Sequence, residues 1–415
     1  MKNSPYRQSR LEDIPSDILN ILNDDCLQEI FRRLTNVRDF LSVAQVCTRF
    51  QENAQQCIPS QFKEISIRGG FFINSIPTRL LTCFLQIFGG SVKSIRWHTT
   101  ERNSDTENMN ILADHCGKSL LELTISDHNI DLDTRSDFEV LEKLEIETGL
   151  IKNFRIFPQL KVLKLKLVKV LTFDSIVQII PKVEEIELVN INGFTDDMLI
   201  EFLTKNPQLR RFKVEGCKRV SSSILRDISI RVPHLVSLHI MFFNPFFEND
   251  DLLHIANLRQ LKCLGIYCNR FSAKSLIELL VKNNVQLESL SINGYGNSLA
   301  EAILNLNLLK HLDVGNVSEE IFIRFVEILS SLEEIRVQCN DITPDGMETI
   351  LKCGKHLTKL TIVSGCQMTV DLDIYNSILI LAKDRVRVLL MIRTDEITLK
   401  KTLNYNRDWL NICYF

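Results

Sequence analysis

The sequence lacks any long apolar run: nowhere do roughly 18 apolar residues follow one another, so we expect no membrane-spanning helix. It also lacks an excess of either charge. The formal net charge is -3, whereas a protein that binds nucleic acid without regard to sequence needs a strong basic excess. Residues 1–17 are polar and contain no apolar stretch that could serve as a secretion signal. We therefore expect a cytoplasmic or nuclear protein, or one found in both, that binds neither nucleic acid nor membrane.

The 12 cysteines include no Cys-x-x-Cys pair, a spacing that marks zinc and redox sites. The closest two, Cys263 and Cys268, fall on a predicted strand and the turn after it. Without a secretion signal, we interpret the cysteines as free thiols in a reducing compartment. His234 and His239 share a predicted strand, but no third ligand is predictably near, so we interpret both as core or rim residues rather than metal ligands.

Common enzyme motifs are also absent. The chain has no G-x-S-x-G elbow, no phosphate-binding loop and no H-E-x-x-H pair, and Gly294-Tyr295-Gly296 lacks the third glycine of a dinucleotide fingerprint. We therefore predict a non-catalytic protein with no catalytic residue, no cofactor and no metal.

What the sequence does contain is a repeat, in which an apolar residue, two variable residues, an apolar residue, one variable residue and another apolar residue follow in order. The clear copies are Leu120-Leu123-Ile125, Leu141-Leu144-Ile146, Leu160-Leu163-Leu165, Val183-Ile186-Leu188, Leu209-Phe212-Val214, Leu235-Leu238-Ile240, Leu261-Leu264-Ile266, Leu287-Leu290-Ile292, Leu309-Leu312-Val314, Leu332-Ile335-Val337 and Leu357-Leu360-Ile362. The weaker copies are Phe62-Ile65-Ile67, Val92-Ile95-Trp97 and Val386-Leu389-Met391. Copies starting at 183, 209, 235, 261 and 287 are each 26 residues apart, a period that predicts leucine-rich repeats.

The spacing within each copy has a physical reason. The second and third apolar positions are two residues apart, so on a strand they point to the same side, toward the core. Stretches 196–205 and 273–282 carry apolar residues at helical spacing. Cys217, Asn269 and Asn340 occupy the bend after a strand, where a small polar or thiol side chain can bond backbone groups. Each repeat is thus predicted to be a strand followed by a helix, which gives an α/β fold.

Residues 22–56 have a different pattern, which predicts three short helices. The first runs from about Asp24 to Arg33 with Asn23 as its N-cap, the second from about Asp39 to Val46, and the third begins near Thr48. About 35 residues with this much apolar surface cannot bury it alone, so part must pack on another surface.

The order of residues in this segment resembles the F-box. The residues that carry the resemblance are Leu22, Leu27, Ile30, Phe31, Leu34, Leu41, Val46, Cys47 and Phe50. Two positions depart from the family's pattern: Asn23 stands where the family has proline, and Phe50 where it has tryptophan. The repeats in turn resemble the cysteine-containing leucine-rich repeats of F-box proteins.

This resemblance implies an N-terminal three-helix F-box followed by a curved leucine-rich-repeat solenoid with a parallel concave sheet and outer helices. We assign 1–20 to a flexible N-terminal segment, 21–57 to the F-box, 58–392 to the solenoid and 393–415 to a C-terminal cap. In the family, the F-box binds a Skp-type adaptor and through it a cullin–RING ligase. The contacts implied for that adaptor are Leu22, Leu27, Ile30, Leu34, Val46 and Phe50. The alternative is that these residues are the core of a helical cap on the solenoid.

Strand positions that alternate with the core positions face out of the concave sheet. From 143 to 215 they form a checkerboard of charge, for which we predict pairing between neighbouring strands. The next three strands instead present an uncharged strip: Ser237, His239, Met241, Cys263, Gly265, Tyr267, Ser289, Ser291 and Asn293. Uncharged surfaces with Met and Tyr are favoured at protein interfaces. The residues predicted to contact a protein substrate are Ser237, His239, Met241, Phe242, Tyr267, Ser291 and Asn293, where Phe242 is either an exposed anchor or extra packing.

The resemblance therefore implies a substrate-recognition subunit of a Skp–cullin–F-box ubiquitin ligase, which holds a target protein on its repeats for proteasomal degradation. The alternative is a scaffold or inhibitor that binds a protein partner on the repeats without degradation.

Overall fold

The protein divides into two compact units, Met1–Gln159 and Leu160–Phe415. The structure, a computed structural model, describes residues 22–61, 64–68, 75–76, 78–98, 105–134, 136–154, 157–170, 182–191, 193–241, 249–267, 273–293, 297–340, 342–364, 378, 380–382, 386–392 and 410–414. Within these ranges no helix is both long enough and apolar enough to cross a membrane. The cysteines within them are free thiols, and burial raises the pKa of the Cys116 thiol to about 12.

The first unit begins with three helices, α1 (Asp24–Phe31), α2 (Val37–Ala44) and α3 (Thr48–Gln61). All three lie where the sequence predicts them. The side chain of Asn23 accepts a hydrogen bond from the Cys26 N–H at 2.8 Å, which confirms the predicted N-cap of α1. Helix α2 starts two residues earlier than predicted, because Asn36 caps it in the same way, through the Arg38 N–H at 2.9 Å.

Aromatic packing joins these helices to the next one, α4 (Thr78–Phe88). The Phe31 ring lies 6.3 Å from that of Phe40 and 5.4 Å from that of Phe50. Phe40 in turn lies 5.8 Å from Phe88. The surface on which the N-terminal helices pack is therefore supplied in part by α4 of the same chain.

A polar contact fixes α1 against α3. Arg49 Nε lies 2.8 Å from Asp24 Oδ1, and Asn53 donates to the same oxygen at 3.2 Å. The hydrogen bonds from Arg49 and Asn53 lower the pKa of Asp24. The angle between the two helices is thus held by polar contacts at the surface as well as by the aromatic core.

The remainder of the first unit contains strands and helices in its described residues. Its elements are β1 (Ile65–Arg68), β2 (Ser75–Ile76), β3 (Ser94–His98), α5 (Asp105–Cys116), β4 (Glu122–Asp131) and β5 (Lys143–Asn153). Strand β1 pairs with β3, β3 with β4 and β4 with β5, and every pair is parallel.

The second unit also contains strands and helices, over a longer stretch. Its strands are β6 (Val162–Lys166), β7 (Val168–Val170), β8 (Glu185–Val189), β9 (Arg211–Glu215), β10 (Ser237–Met241), β11 (Cys263–Tyr267), β12 (Ser289–Ile292), β13 (His311–Asn316), β14 (Glu334–Gln338), β15 (Lys359–Ser364), β16 (Arg387–Ile392) and β17 (Leu410–Tyr414). Its helices are α6 (Asp196–Lys205), α7 (Ile224–Arg231), α8 (Asn249–Leu253), α9 (Lys274–Lys282), α10 (Asn297–Ile303), α11 (Glu319–Ile328) and α12 (Pro344–Cys353). From β8 to β17 each strand pairs in parallel with the next, and β6 pairs in parallel with β8.

The apolar positions of the predicted repeat form the core of this unit. In β10, Leu238 pairs in register with Phe212 of β9 and with Leu264 of β11, and all three are buried. The same alignment holds for the clear copies of this unit, from Leu163 on β6 to Leu360 on β15, and the apolar residues of every clear copy are buried. The predicted leucine-rich-repeat fold is confirmed by this geometry, in which each strand and helix pair buries its apolar side against the next.

The prediction for the last weak copy is wrong by one residue in the position of its strand. Leu360 pairs with Val388, and Val388 is buried, whereas Leu389 is half-buried. The core residue of β16 is thus Val388 rather than the predicted Leu389. The sequence permits either register because apolar residues are consecutive from 388 to 392. The first weak copy includes Phe62, which lies outside the described residues.

Two buried polar side chains, those of Cys217 and Asn206, form hydrogen bonds with backbone groups of the repeats. Cys217, at the predicted bend position, is buried, and its thiol donates to the carbonyl oxygens of Leu188 at 3.8 Å and Glu215 at 3.7 Å. Burial raises the pKa of this thiol to about 11. Asn206 is fully buried; its oxygen accepts from the Val183 N–H and its amide donates to the Phe202 carbonyl, both at 2.9 Å. The bend residue Asn269 lies outside the described residues.

Replacement of Asn206 by alanine is expected to destabilise the protein, because it leaves the Val183 N–H and the Phe202 carbonyl buried without this partner. Each unsatisfied buried group costs about 1–3 kcal/mol, so the predicted loss is about 2 kcal/mol or more. The urea midpoint of unfolding, followed by circular dichroism, measures it. Asn305→Ala is the matched control, because Asn305 also bonds backbone carbonyls but is exposed. Equal midpoints for the two variants would refute a structural role for Asn206.

Candidate functional site

The half-buried strand residues of the second unit form one side of its sheet, which we call the open face. At its start, on β6, β8 and β9, this face carries the predicted checkerboard of charge. Lys164 lies 2.7 Å from Glu185 and 3.4 Å from Glu187, and Lys213 lies 3.1 Å from Glu187. Burial opposes the charge on Lys164, but the two glutamates outweigh it and raise its pKa. The predicted pairing between strands is confirmed, and these cations are already engaged by acids of the same sheet.

The uncharged strip follows on β10, β11 and β12. Ser237 aligns with Cys263 and Ser289, and His239 aligns with Gly265 and Ser291, so the register brings the strip residues together. Of the predicted substrate contacts, six are half-buried on this face: Ser237, His239, Met241, Tyr267, Ser291 and Asn293. Phe242 lies outside the described residues.

His239 lies over Gly265. A Cβ atom at position 265 would be 2.2 Å from Nδ1 of His239, so the imidazole occupies the space that a side chain there would need. Its ring centroid is 5.6 Å from that of Tyr267. Burial, followed by the charge of Lys213, lowers the pKa of His239, so this ring is neutral at physiological pH. His239 therefore acts as a flat, uncharged part of the surface.

A hydrogen-bond network extends the strip onto the next strand. The Tyr267 hydroxyl donates to Asp313 Oδ2 at 3.0 Å, and the Ser291 hydroxyl donates to the same oxygen at 3.1 Å. The two hydroxyls also contact one another. Burial, together with the charge of Asp313, raises the pKa of Tyr267, which keeps its phenol protonated as a donor. This network fixes the orientation of the Tyr267 ring on the open face.

Asp313 and Arg336 belong to this site although the sequence-based strip omits them. Register places Ser291 beside Asp313 and Asp313 beside Arg336, and Arg336 Nε lies 3.8 Å from Asp313 Oδ1. The sequence does indicate both residues, because each follows the first apolar residue of its repeat by four positions, as Ser291 does. Both residues are charged, whereas the predicted strip consists of uncharged residues.

Two grooves adjoin Arg336 and Asp313. The first, of about 380 Å³, is lined by Tyr267, Ile292, Asn293, Asp313, Val314, Gly315, Arg336, Val337, Gln338 and Val363. The second, of about 370 Å³, is lined by Ser289, Leu290, Ser291, His311, Leu312, Asp313, Glu334, Ile335, Arg336, Lys359, Thr361 and Leu389. Both have the size of ligand-binding clefts, and Arg336 belongs to both. This part of the open face is the candidate binding site.

No known protein family and no curated protein matches this chain. Among solved structures, 61 chains match. One is in the TLR13–ssRNA13 complex (14% identity, TM-score 0.35, 81% of this chain and 63% of that chain). The leucine-rich repeat-containing protein LegL7 from Legionella pneumophila matches at 12% identity and TM-score 0.37, over 77% of this chain and 97% of that one. A chain of the yeast Rad7–Elc1 complex matches at 13% identity and TM-score 0.37, over 82% and 70%.

This chain thus spans less than two thirds of the TLR13 chain. At these identities and scores the matches carry no inference about partners or activity, which have to be argued from the geometry of the protein itself.

The predicted adaptor contacts are in the first unit and differ in exposure. Ile30 is 48% exposed and Val46 is 62% exposed. Leu22, Leu34 and Phe50 are half-buried. Leu27 is 2% exposed and belongs to the interior. Ile30 and Val46 are therefore the members of the set that present the most apolar surface to solvent.

Near the strip, Glu288 lies 2.6 Å from Lys262 and 3.0 Å from Lys310, and hydrogen bonds with these lysines lower its pKa to about 2. Because the pKa is lowered on folding, the stabilisation is present above the unfolded value of 4.5 and is lost as pH falls toward 2. Glu288→Gln is therefore expected to lower the melting temperature at neutral pH. The difference from wild type is expected to shrink as the pH falls below 4.5.

Melting temperatures of wild type and variant across this pH range test the assignment. Glu278→Gln is the matched control, because Glu278 is on helix α9 and its ion pair with Lys274 is longer, at 3.6 Å. A Glu288→Gln effect that stays constant with pH would exclude the ion-pair explanation.

Proposed function

We propose that this protein is the substrate-recognition subunit of a Skp–cullin–F-box ubiquitin ligase. In this proposal the N-terminal helices bind a Skp-type adaptor, and the open face of the repeats binds a protein that is then marked for proteasomal degradation. The observation that carries the adaptor half is the exposure of two apolar side chains, Ile30 on α1 and Val46 in the turn after α2. The other large apolar residues described in this segment are buried or half-buried.

The packing of the helices explains why this exposure is informative. Phe31, Phe40 and Leu27 fill the interior, and α4 covers part of the remaining apolar surface. Ile30 and Val46 are left outside this core, at positions where the F-box resemblance implies adaptor contacts. Full burial of an exposed side chain of this size contributes about 1.5–3 kcal/mol, and roughly half of that remains available at each of these two partly exposed residues. Together they can still contribute to anchoring a partner.

The replacement of proline by Asn23 is compatible with this proposal. Proline at a helix start supplies a fixed backbone angle, whereas Asn23 supplies a hydrogen-bonded cap to the same helix. The local helix start is thus preserved by another interaction. Similarly, Phe50 supplies an aromatic ring against Phe31 in place of tryptophan.

In the proposed assembly this chain performs no chemistry of its own. The recruited ligase subunits transfer ubiquitin, while the repeats bind the target protein. The proposal therefore involves no catalytic residue, cofactor or metal in this chain, and no nucleic-acid or membrane partner. It places the protein in the cytoplasm, the nucleus or both, where such ligases operate.

Co-purification of the full chain with a Skp-type adaptor and a cullin tests the proposal. Wild type is expected to capture both. The double variant Ile30→Asp/Val46→Asp is expected to lose adaptor capture by about 100-fold, because an interface would have to bury two unpaired carboxylates.

Ile230→Asp/Val281→Asp is the matched control, since it places the same charges at exposed apolar residues of the second unit. It is expected to capture the adaptor as wild type does. If wild type captures no adaptor, the ligase proposal is wrong, and a scaffold or inhibitor that binds a protein without degradation replaces it.

A further inference from the structure

We infer that the grooves beside Arg336 bind an acidic side chain, Asp or Glu, in an extended segment of the target protein. The inference rests on the proposed function only in that the repeats bind a protein, and it is independent of the adaptor. It depends on the unequal engagement of the two charged residues at the centre of the site, Asp313 and Arg336.

Asp313 is the residue of this pair whose carboxylate has close hydrogen-bond partners. Its Oδ2 accepts hydrogen bonds from both Tyr267 and Ser291, at 3.0 and 3.1 Å. Two hydroxyl donors on one carboxylate oxygen stabilise its negative charge without a cation. Asp313 therefore does not require Arg336 as its partner.

The guanidinium group of Arg336 makes only a long contact with Asp313. Its side chain is 50% exposed, and its Nε approaches Asp313 Oδ1 only to 3.8 Å, which is beyond hydrogen-bond length. Guanidinium groups bind carboxylates through two parallel hydrogen bonds, a geometry that the Asp313 contact lacks. A carboxylate that enters from the groove could make those bonds.

The other charges around the grooves also favour one incoming acid. Lys359 and Glu334, which line the second groove, pair with each other at 3.1 Å. Arg387, aligned with Lys359 on β16, is exposed and adds a further positive charge. The aligned charged positions of β13–β16 thus carry three cations, Arg336, Lys359 and Arg387, against the two acids Asp313 and Glu334. A single negative charge fits this balance.

The shape of the site indicates an extended segment. The two grooves adjoin along the strand direction from His311 to Gly315, and the four residue steps between them span about 13 Å of strand. Gly315 contributes no side chain to the first groove, and Tyr267 forms part of its wall. Gln338 provides a carboxamide that can bond a backbone. An extended peptide of about four residues fills this length, with its acidic side chain at Arg336.

The probes are two immobilised peptide pools of about nine residues, long enough to cover both grooves in extended form. One pool has Glu and the other Gln at the central position, and all other positions are mixtures of uncharged residues. Retention of the full-length protein by each pool is measured by surface plasmon resonance. Wild type is expected to bind the Glu pool about tenfold more tightly than the Gln pool. A hydrogen bond to a charged group increases affinity by about this factor.

Substitutions with opposite effects separate binding from folding. Arg336→Gln is expected to abolish the preference for Glu. Asp313→Asn keeps an acceptor for Tyr267 and Ser291 but removes the charge that repels the ligand, so it is expected to tighten binding by about two- to fivefold. Arg226→Gln, at an exposed arginine on helix α7, is the matched control and is expected to behave as wild type.

Equal binding of the two pools, absence of binding to both, or an unchanged Glu preference in Arg336→Gln would each overturn the inference. Adaptor capture by Arg336→Gln is measured in parallel. Its persistence alongside a lost Glu preference supports both proposals, whereas failure of wild type to capture the adaptor refutes the ligase proposal alone.

Discussion

The structure depends above all on the burial of two apolar side chains from each strand, two residues apart, against the same pair on the next strand. In the second unit this pairing continues in register from Ile186 and Leu188 through Leu238 and Ile240 to Leu360 and Ile362. Because one side of the strand is committed to the core, the intervening residues must face the other way. The open face is thus a direct consequence of core packing, and its residues are free to vary in chemistry.

That freedom divides the open face into parts with different properties. On β6, β8 and β9, acids and bases neutralise one another, so little charge remains for a partner. On β10 to β12 the surface is uncharged, and Asp313 and Arg336 follow on β13 and β14. Two hydroxyls donate hydrogen bonds to the Asp313 carboxylate, whereas Arg336 makes only a long contact with it. The N-terminal helices present a different kind of surface, in which Ile30 and Val46 are apolar and exposed. Adaptor and target would therefore be bound by unlike chemistry.

Much of the fold could be predicted from the sequence, because the repeat has a fixed internal spacing and the N-terminal helices have clear caps and apolar stripes. The register of β16 could not, since its consecutive apolar residues fit the core in either phase and only pairing with Leu360 selects Val388. Nor could the packing of Phe40 on Phe88, which joins residues distant in the sequence. The site could be predicted in part: the strand register extends the strip to Asp313 and Arg336, but the uncharged pattern that defines the strip does not include charged residues.

In the proposed assembly the N-terminal helices bind a Skp-type adaptor while the open face remains accessible to a target. Hydrogen exchange of the full chain, alone and with the adaptor, tests it most directly. Adaptor binding is expected to slow exchange in α1 around Ile30 and in the turn after α2 around Val46, with no change in β10 to β14. Slower exchange confined to β10–β14, or no change around Ile30 and Val46, would contradict adaptor binding by these helices.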